Sequence, residues 1–472
     1  MPIKIALPKG RLLSETATLL QRASWGLNGY TESARLYRLK SRRFSGLSAK
    51  IFHERDIPIQ VAVGNYDLGI CGLDWVEELL VKYPSSPLVK VKNLGYGEGL
   101  LYMVASRSAA ATVEEIQAKT DVIRIASEYP NLAESFAADL RLRRFNIFPL
   151  WGAAEVYPPE NADLALVPGK AGAEAFNNDL VPVSEVLGFS AFLIANKSSW
   201  QTKDMGELLA SIEDKLSAGE GQPASADVDR RPEKAGQYLS REVAEDAVRL
   251  ALPDGHQQLP TLQLLNKAGI QIDDYPSSTG NRRPAANLDW ITIKVIRPQD
   301  MPLQVANGNF DLAITGRDWF LEHLYQFPSS PITELVDLKL GKVKIVAVVS
   351  KDLAVTDADS LRQLNAERPV PFRVASEYVN IADKYARDNH LGMYRVVPTW
   401  GATEAFLPED ADLLIENTQT GRTIARHNLK IIDTLFASAA CLIGGTARVS
   451  GSNKSGRMKY IVETLRAAVE SK

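Results

Sequence analysis

Along this chain the spacing of apolar positions switches repeatedly between the short runs of buried strands and the three-to-four spacing of amphipathic helices. Residues 2–6 form a short apolar run, and Leu12, Leu13, Ala17 and Leu20 then share one helix face. The pattern predicts a strand, a helix over 12–22, and a turn between them carrying Leu7-Pro8-Lys9-Gly10-Arg11. The same alternation predicts strands near 49–52, 67–71 and 100–106, with helices opening at Asp56-Ile57-Pro58 and at Asp74. Asp56 is expected to cap its helix and Pro58 to fill the first turn. A second series follows, with strands at 124–126, 145–149 and 164–167 and a helix over 132–140. Strands separated by helices throughout predict an α/β fold with parallel sheets. In such sheets ligands bind at the carboxyl ends of the strands, where the Lys9 turn sits.

The pattern occurs twice. Ala126-Ser127-Glu128-Tyr129 returns as Ala375-Ser376-Glu377-Tyr378, and Trp151-Gly152-Ala153 as Trp400-Gly401-Ala402, both 249 positions later. Upstream, Gly64-Asn65-Tyr66-Asp67-Leu68 matches Gly308-Asn309-Phe310-Asp311-Leu312, and Ala6 to Gly10 matches Ala251 to Gly255. A period this long means two similar domains, since solenoid repeats run to only about 20–50 residues. Residues 218–237 are rich in Gly, Pro, Ala and charge without periodicity, and read as a flexible linker. The expected organisation is a first copy at 1–217 with an inserted lobe at about 107–185, a linker at 218–240, and a second copy at 241–472 with its lobe at about 351–434. A helix over 202–216 closes the first copy and one over 457–469 the second.

Composition narrows the function. An apolar fraction of 45% and a charged fraction of 24% are those of a globular protein, and each copy is long enough to bury its own core. A net charge of −3 without a basic stripe argues against nucleic-acid binding. Cys71 and Cys441 lie in apolar runs at non-equivalent positions and are expected to be buried free thiols, as suits a reducing cytosol. The amino terminus lacks a signal-peptide pattern, and no apolar stretch approaches about 18 residues, so a cytoplasmic protein without membrane association is expected. The five histidines lack ligand spacing, and no zinc site is expected.

The sharpest chemical motif is Asp412-Leu413-Leu414-Ile415-Glu416-Asn417-Thr418-Gln419-Thr420-Gly421-Arg422-Thr423. An apolar strand ends in an acid, and a loop then offers hydroxyls and backbone N–H groups around a glycine before a helical stretch from Ile424. Converging amides and the positive end of a helix dipole cradle a phosphate, and the acid can hold sugar hydroxyls or help neutralise a metal. A plain Thr/Gly turn capping a helix is the alternative.

Taken in order, IALPKGR, RDIP, GNYDLGICGLDWV, IASEYPN, WGAAE and DLLIENTQTGRT resemble the ATP phosphoribosyltransferase family, and the resemblance covers each copy almost end to end. It implies two tandem copies of a two-lobed fold like that of periplasmic solute-binding proteins. The implied reaction, the first of histidine biosynthesis, is attack by N1 of the adenine of ATP on C1 of phosphoribosyl pyrophosphate, with Mg²⁺-bound pyrophosphate leaving. By the resemblance Gln419, Thr420, Gly421, Arg422 and Thr423 cradle the 5-phosphate, with Glu416 near the ribose hydroxyls. Lys9 and Arg11 are the implied cations, and Arg35 stands where a further family arginine or a plain surface residue is expected. Glu404, like Glu155, holds the glutamate of the family's Gly-x-x-Glu motif, as a ligand contact or a helix start. Trp151 and Trp400 are read as core packing before adenine stacking. The family's long form carries a histidine-sensing domain at its carboxyl terminus, and the roughly 25 residues after Gly445 predict none here.

Each copy departs from the family in a different place. In the first, the phosphate loop has become Val167-Pro168-Gly169-Lys170-Ala171-Gly172-Ala173, and Glu174 stands where Thr423 does. In the second, Lys9 is replaced by Asp254 and Arg11 by His256. The complementary loss predicts a homo-oligomer or an intramolecular pseudo-dimer in which one complete set of residues is drawn from both copies. The competing readings are an impaired regulatory or ligand-binding relative that needs a partner subunit, and a solute-binding protein, against which the lack of a signal peptide counts.

Overall fold

A computed structural model describes residues 2–31, 37–109, 112–173, 176, 179–216, 246–446 and 452–471. Arg35, Glu174 and the linker expected at 218–240 lie outside the described residues. The chain divides into two compact units, one comprising Met1–Phe148, Leu164–Ser240 and Trp400–Ala405, the other Pro149–Asp163, Arg241–Thr399 and Phe406–Lys472.

The first unit is built on two sheets. One has six strands in the order Arg38–Lys40, Leu47–His53, Ile3–Lys9, Leu68–Gly72, Ala191–Asn196, Leu88–Asn93. The other has five, in the order Leu180–Phe189, Gly99–Ser106, Leu164–Gly169, Ile123–Ser127, Phe145–Pro149. The strand Ile3–Lys9 is paired in parallel on both sides, and all but two of its residues are buried, which is why it reads as an unbroken apolar run.

The sheets are not purely parallel, which corrects the sequence expectation. Ala191–Asn196 runs antiparallel to both neighbours in the first sheet, and Gly99–Ser106 does so in the second. Each is the strand by which the chain enters that sheet from the other lobe. It arrives without a helical crossover, and a crossover is what parallel pairing requires. Arg38–Lys40 adds a short antiparallel edge.

The second unit repeats the plan with two five-stranded sheets, Ile291–Ile296, Val248–Pro253, Leu312–Gly316, Ala440–Gly445, Ile332–Asp337 and Tyr394–Pro398, Phe372–Ser376, Leu413–Thr418, Val343–Ser350, Leu429–Ser438. Its entering strands, Ala440–Gly445 and Val343–Ser350, are again the antiparallel ones.

One device ties the two lobes in both copies. Glu78, on the helix Leu73–Lys82, accepts the backbone N–H groups of Asn131 and Leu132, capping the helix Pro130–Asp139. Glu322 does the same for Asn380 and Ile381. Beside these caps Trp75 stacks on Tyr129 with centroids 4.3 Å apart, and Trp319 on Tyr378 at 4.4 Å.

Some local expectations shift. Asp56 makes no side-chain capping bond; a 3₁₀ turn at Glu54–Asp56 precedes the helix Ile57–Ala62, and the His53 ring accepts the Arg55 N–H instead. The helix expected from Ile424 spans Arg422–Arg426, and the last helix spans Ser452–Glu470. Cys71 and Cys441 are buried free thiols, and burial pushes both up. Among the described residues no helix is long and apolar enough to cross a membrane.

Candidate active site

In the first unit the strand Ile3–Lys9 turns at Gly10, whose φ of 96° lies in the left-handed region that only glycine enters freely. The turn leaves the Lys9 side chain exposed at the carboxyl end of a central strand. Its Nζ donates to the Tyr37 hydroxyl at 3.2 Å and stands 5.2 Å from that ring's centroid. The Tyr37 phenol is pushed up by burial and by the carboxylate of Glu404, against the pull of Lys9. Lys9, Tyr37 and Glu404 are therefore gathered in this unit, and Glu404 lies in the 3₁₀ turn Thr403–Phe406. Beside them the Arg55 guanidinium lies 5.2 Å from the Trp75 ring and 4.4 Å from the Trp400 ring. Trp400 is thus a cation–π partner, whereas Trp151 packs against the apolar core of the second unit. The neighbouring His53 is pushed down to about 4 by burial and then by the charges of Arg55, Lys9 and Arg11, so it is neutral at pH 7.

Arg11 is held differently. One Nη donates to both oxygens of Asp74 at 2.7 Å, and Nε donates to Glu54 at 3.0 Å. The guanidinium also lies 4.8 Å from the Phe189 centroid. Asp74 is fully buried and receives a further bond from the Tyr129 hydroxyl at 2.8 Å. Two carboxylates thus oppose one cation, and Arg11 is committed to the protein where Lys9 is not.

The equivalent place in the second unit is an ion network. Asp254, at the position of Lys9, pairs with Arg282 at 3.0 Å and Arg297 at 3.1 Å, and Arg282 pairs with Glu155 at 3.2 Å. Burial would raise Asp254, but Arg297 and Arg282 outweigh it and hold the carboxyl below its ordinary range. The second copy therefore has guanidinium groups where its sequence motif has lost them, each already balanced by an acid. Sequence reasoning missed Tyr37, Arg282 and Arg297, because only strand pairing brings them to the Lys9 and Asp254 turns.

A second cluster lies on the same unit's 149–163 segment. Glu160 accepts from Arg283 at 2.7 and 3.0 Å and pairs with the buried Lys294 at 2.8 Å. Burial would raise the carboxyl, but the Arg283 hydrogen bonds and the Lys294 charge prevail and hold it at about 2. A depressed folded value stabilises above the unfolded pKa of about 4.3 and is lost as pH falls toward 2. The unfolding free energy should therefore fall over that window, by on the order of 3 kcal/mol, and Glu160→Gln should remove this part of the pH slope. An unchanged slope in the variant would show that the cluster does not set acid stability.

The two phosphate-type loops also differ. In the second unit Glu416 lies half-buried on the strand Leu413–Thr418, and its Oε1 accepts the Asn417 N–H at 2.9 Å. Gln419 and Thr420 are exposed, Gly421 turns with φ 70°, and its N–H donates to the Thr418 hydroxyl at 2.9 Å. Arg422 and Thr423 open the short helix with exposed side chains. In the first unit the equivalent Gly172 N–H donates to the Tyr102 hydroxyl at 3.1 Å, which itself donates to the Lys170 carbonyl at 3.0 Å. Tyr102 is buried and packs on Phe176, so this loop is tied to the core through one hydroxyl.

The model of the ATP phosphoribosyltransferase family matches residues 53–217 and again 297–467. ATP phosphoribosyltransferase from Saccharolobus solfataricus is 30% identical over 236 residues, covering 48% of this chain and 73% of that protein. The enzyme of the same name from Solibacter usitatus is 31% identical over 227 residues, with 48% and 73% covered. Among solved structures, the ATP phosphoribosyl transferase complex from Thermotoga maritima aligns at 20% identity and a TM-score of 0.39, over 46% of this chain and 99% of that one.

Proposed function

The chain belongs to the ATP phosphoribosyltransferase family, and on that premise we propose that it transfers the phosphoribosyl group of phosphoribosyl pyrophosphate to N1 of ATP, releasing pyrophosphate, in histidine biosynthesis. The observation that carries this reading is the exposed Lys9 ammonium at the end of a central strand, grouped with Tyr37 and Glu404. As the C1–O bond to pyrophosphate breaks and the N1–C1 bond forms, negative charge grows on the leaving group, and a preplaced ammonium lowers that barrier. Arg11 serves as a positioning residue, bracing the turn that presents Lys9 against Asp74 and Glu54. On the second copy, the loop from Gln419 to Thr423 receives the 5-phosphate and Glu416 the ribose hydroxyls.

Each part is intact once in the chain: the lysine turn in the first copy, the hydroxyl-bearing loop in the second. Among the described residues no group of three or more His, Cys, Asp or Glu could hold a metal ion. Mg²⁺ in this reading arrives on the pyrophosphate oxygens, as it does where substrate phosphates supply the ligands. It offsets the charge of the leaving group there.

The test is direct. Purified chain with ATP, phosphoribosyl pyrophosphate and Mg²⁺ should generate the absorbance of phosphoribosyl-ATP. No product from folded protein, alone or with candidate partner subunits, would overturn the reading in favour of an impaired ligand-binding relative.

A further inference from the structure

The first unit shows what its partner sequence has given up. Arg11 there is held by Asp74, Glu54 and Phe189. At the equivalent positions of the second copy stand Asp318, Pro298 and Ser438, and Arg11 itself is replaced by an exposed histidine, His256. Of the holding set only the buried aspartate is kept. Asp318 receives the hydroxyls of Tyr378 at 2.6 Å and Ser438 at 2.8 Å, and among the described residues no cation pairs with it. Around it lies a cavity of about 200 Å³, walled by Trp319, Tyr378 and Glu377 and closed by Gln257 and Gln299. The side-chain carbonyl oxygens of both glutamines are buried without a hydrogen-bond partner. Arg297 on the rim is held by Asp254 and so does not reach across to Asp318.

We propose that this cavity binds a small planar cation, a guanidinium or amidinium head on a short alkyl chain, in the place that Arg11 fills in the first unit. A buried carboxylate lacking a cation is a costly arrangement that a matched partner relieves. A guanidinium supplies two parallel N–H donors to a carboxylate and leaves others for the glutamine carbonyls. The Trp319 and Tyr378 rings, stacked on each other at 4.4 Å, supply apolar wall for the alkyl chain. The replacement of an arginine, a glutamate and a phenylalanine by shorter side chains is what opens the room. Nothing in this inference depends on the transferase reaction.

The test is calorimetric titration of the full chain with butylguanidine, and with butylamine of the same length. Butylguanidine should saturate one site per chain, with butylamine at least about tenfold weaker, because an ammonium lacks the fork. Asp318→Asn should weaken butylguanidine binding at least about tenfold, and His256→Arg should abolish it by returning an internal guanidinium to the cavity. Should Asp318→Asn fail to fold, the His256→Arg titration decides, since that variant adds a partner and removes none. Absence of saturable binding, equal binding of the two probes, or binding that survives His256→Arg would each overturn the proposal.

Discussion

Replacing Lys9 with alanine is expected to lower turnover about 10²–10³-fold while leaving the denaturation midpoint near that of the parent. The Lys9 ammonium is exposed and bonded to one hydroxyl, so no buried charge depends on it for compensation. In the proposed reaction its value lies in the charge that develops on the departing pyrophosphate. His256→Ala, at the position of Arg11 in the second copy's turn, should matter far less. The loop offers the matching contrast. Gly421→Glu places a side chain at a φ of 70° and a carboxylate beside the expected phosphate, which should raise the KM for phosphoribosyl pyrophosphate. Gly172→Glu carries a similar backbone strain at φ 73° but alters a loop that has lost the acid and hydroxyls of its counterpart, so its kinetic effect should be small once stability is matched. Steady-state kinetics on the four variants decides. Equal sensitivity of His256 and Gly172 would mean two sites of unfamiliar composition instead of one.

The elements easiest to read from sequence were those whose burial is continuous. The runs at 2–6 and 67–71 announced central strands because both faces of Ile3–Lys9 and Leu68–Gly72 are covered. Leu88–Asn93 and Leu180–Phe189 went unread because they lie at sheet edges with mostly half-exposed residues, so neither an apolar run nor a clean alternation marks them. The same locality limits the site. Lys9, Gly10 and the Glu416–Thr423 loop are contiguous motifs and could be named. Tyr37 is 28 residues from Lys9, and the acids that hold Arg11 are 43 and 63 residues from it. A motif reports that a cation is present; only folding reports whether that cation is already spent on a carboxylate.

Arg11→Ala is therefore expected to act first on stability. Asp74 is fully buried and Glu54 has a side-chain exposure of 5%, so removing the guanidinium strands two carboxylates away from water, at a cost of about 3–5 kcal/mol. Chemical denaturation should show a lower midpoint with an unchanged slope. Arg11→Lys, which keeps the charge but not the fork, should fall between variant and parent. A pH series adds a second sign. Burial already pushes Glu54 up despite Arg11, and without Arg11 it rises further. A raised folded value means the protonated form suits the fold, so the deficit should be greatest near neutrality and shrink as pH falls into the acid range. Turnover should decline with the folded fraction and with the set of the Lys9 turn. A variant with the parent's midpoint at every pH but little turnover would return Arg11 to the pyrophosphate, where the family motif alone had placed it.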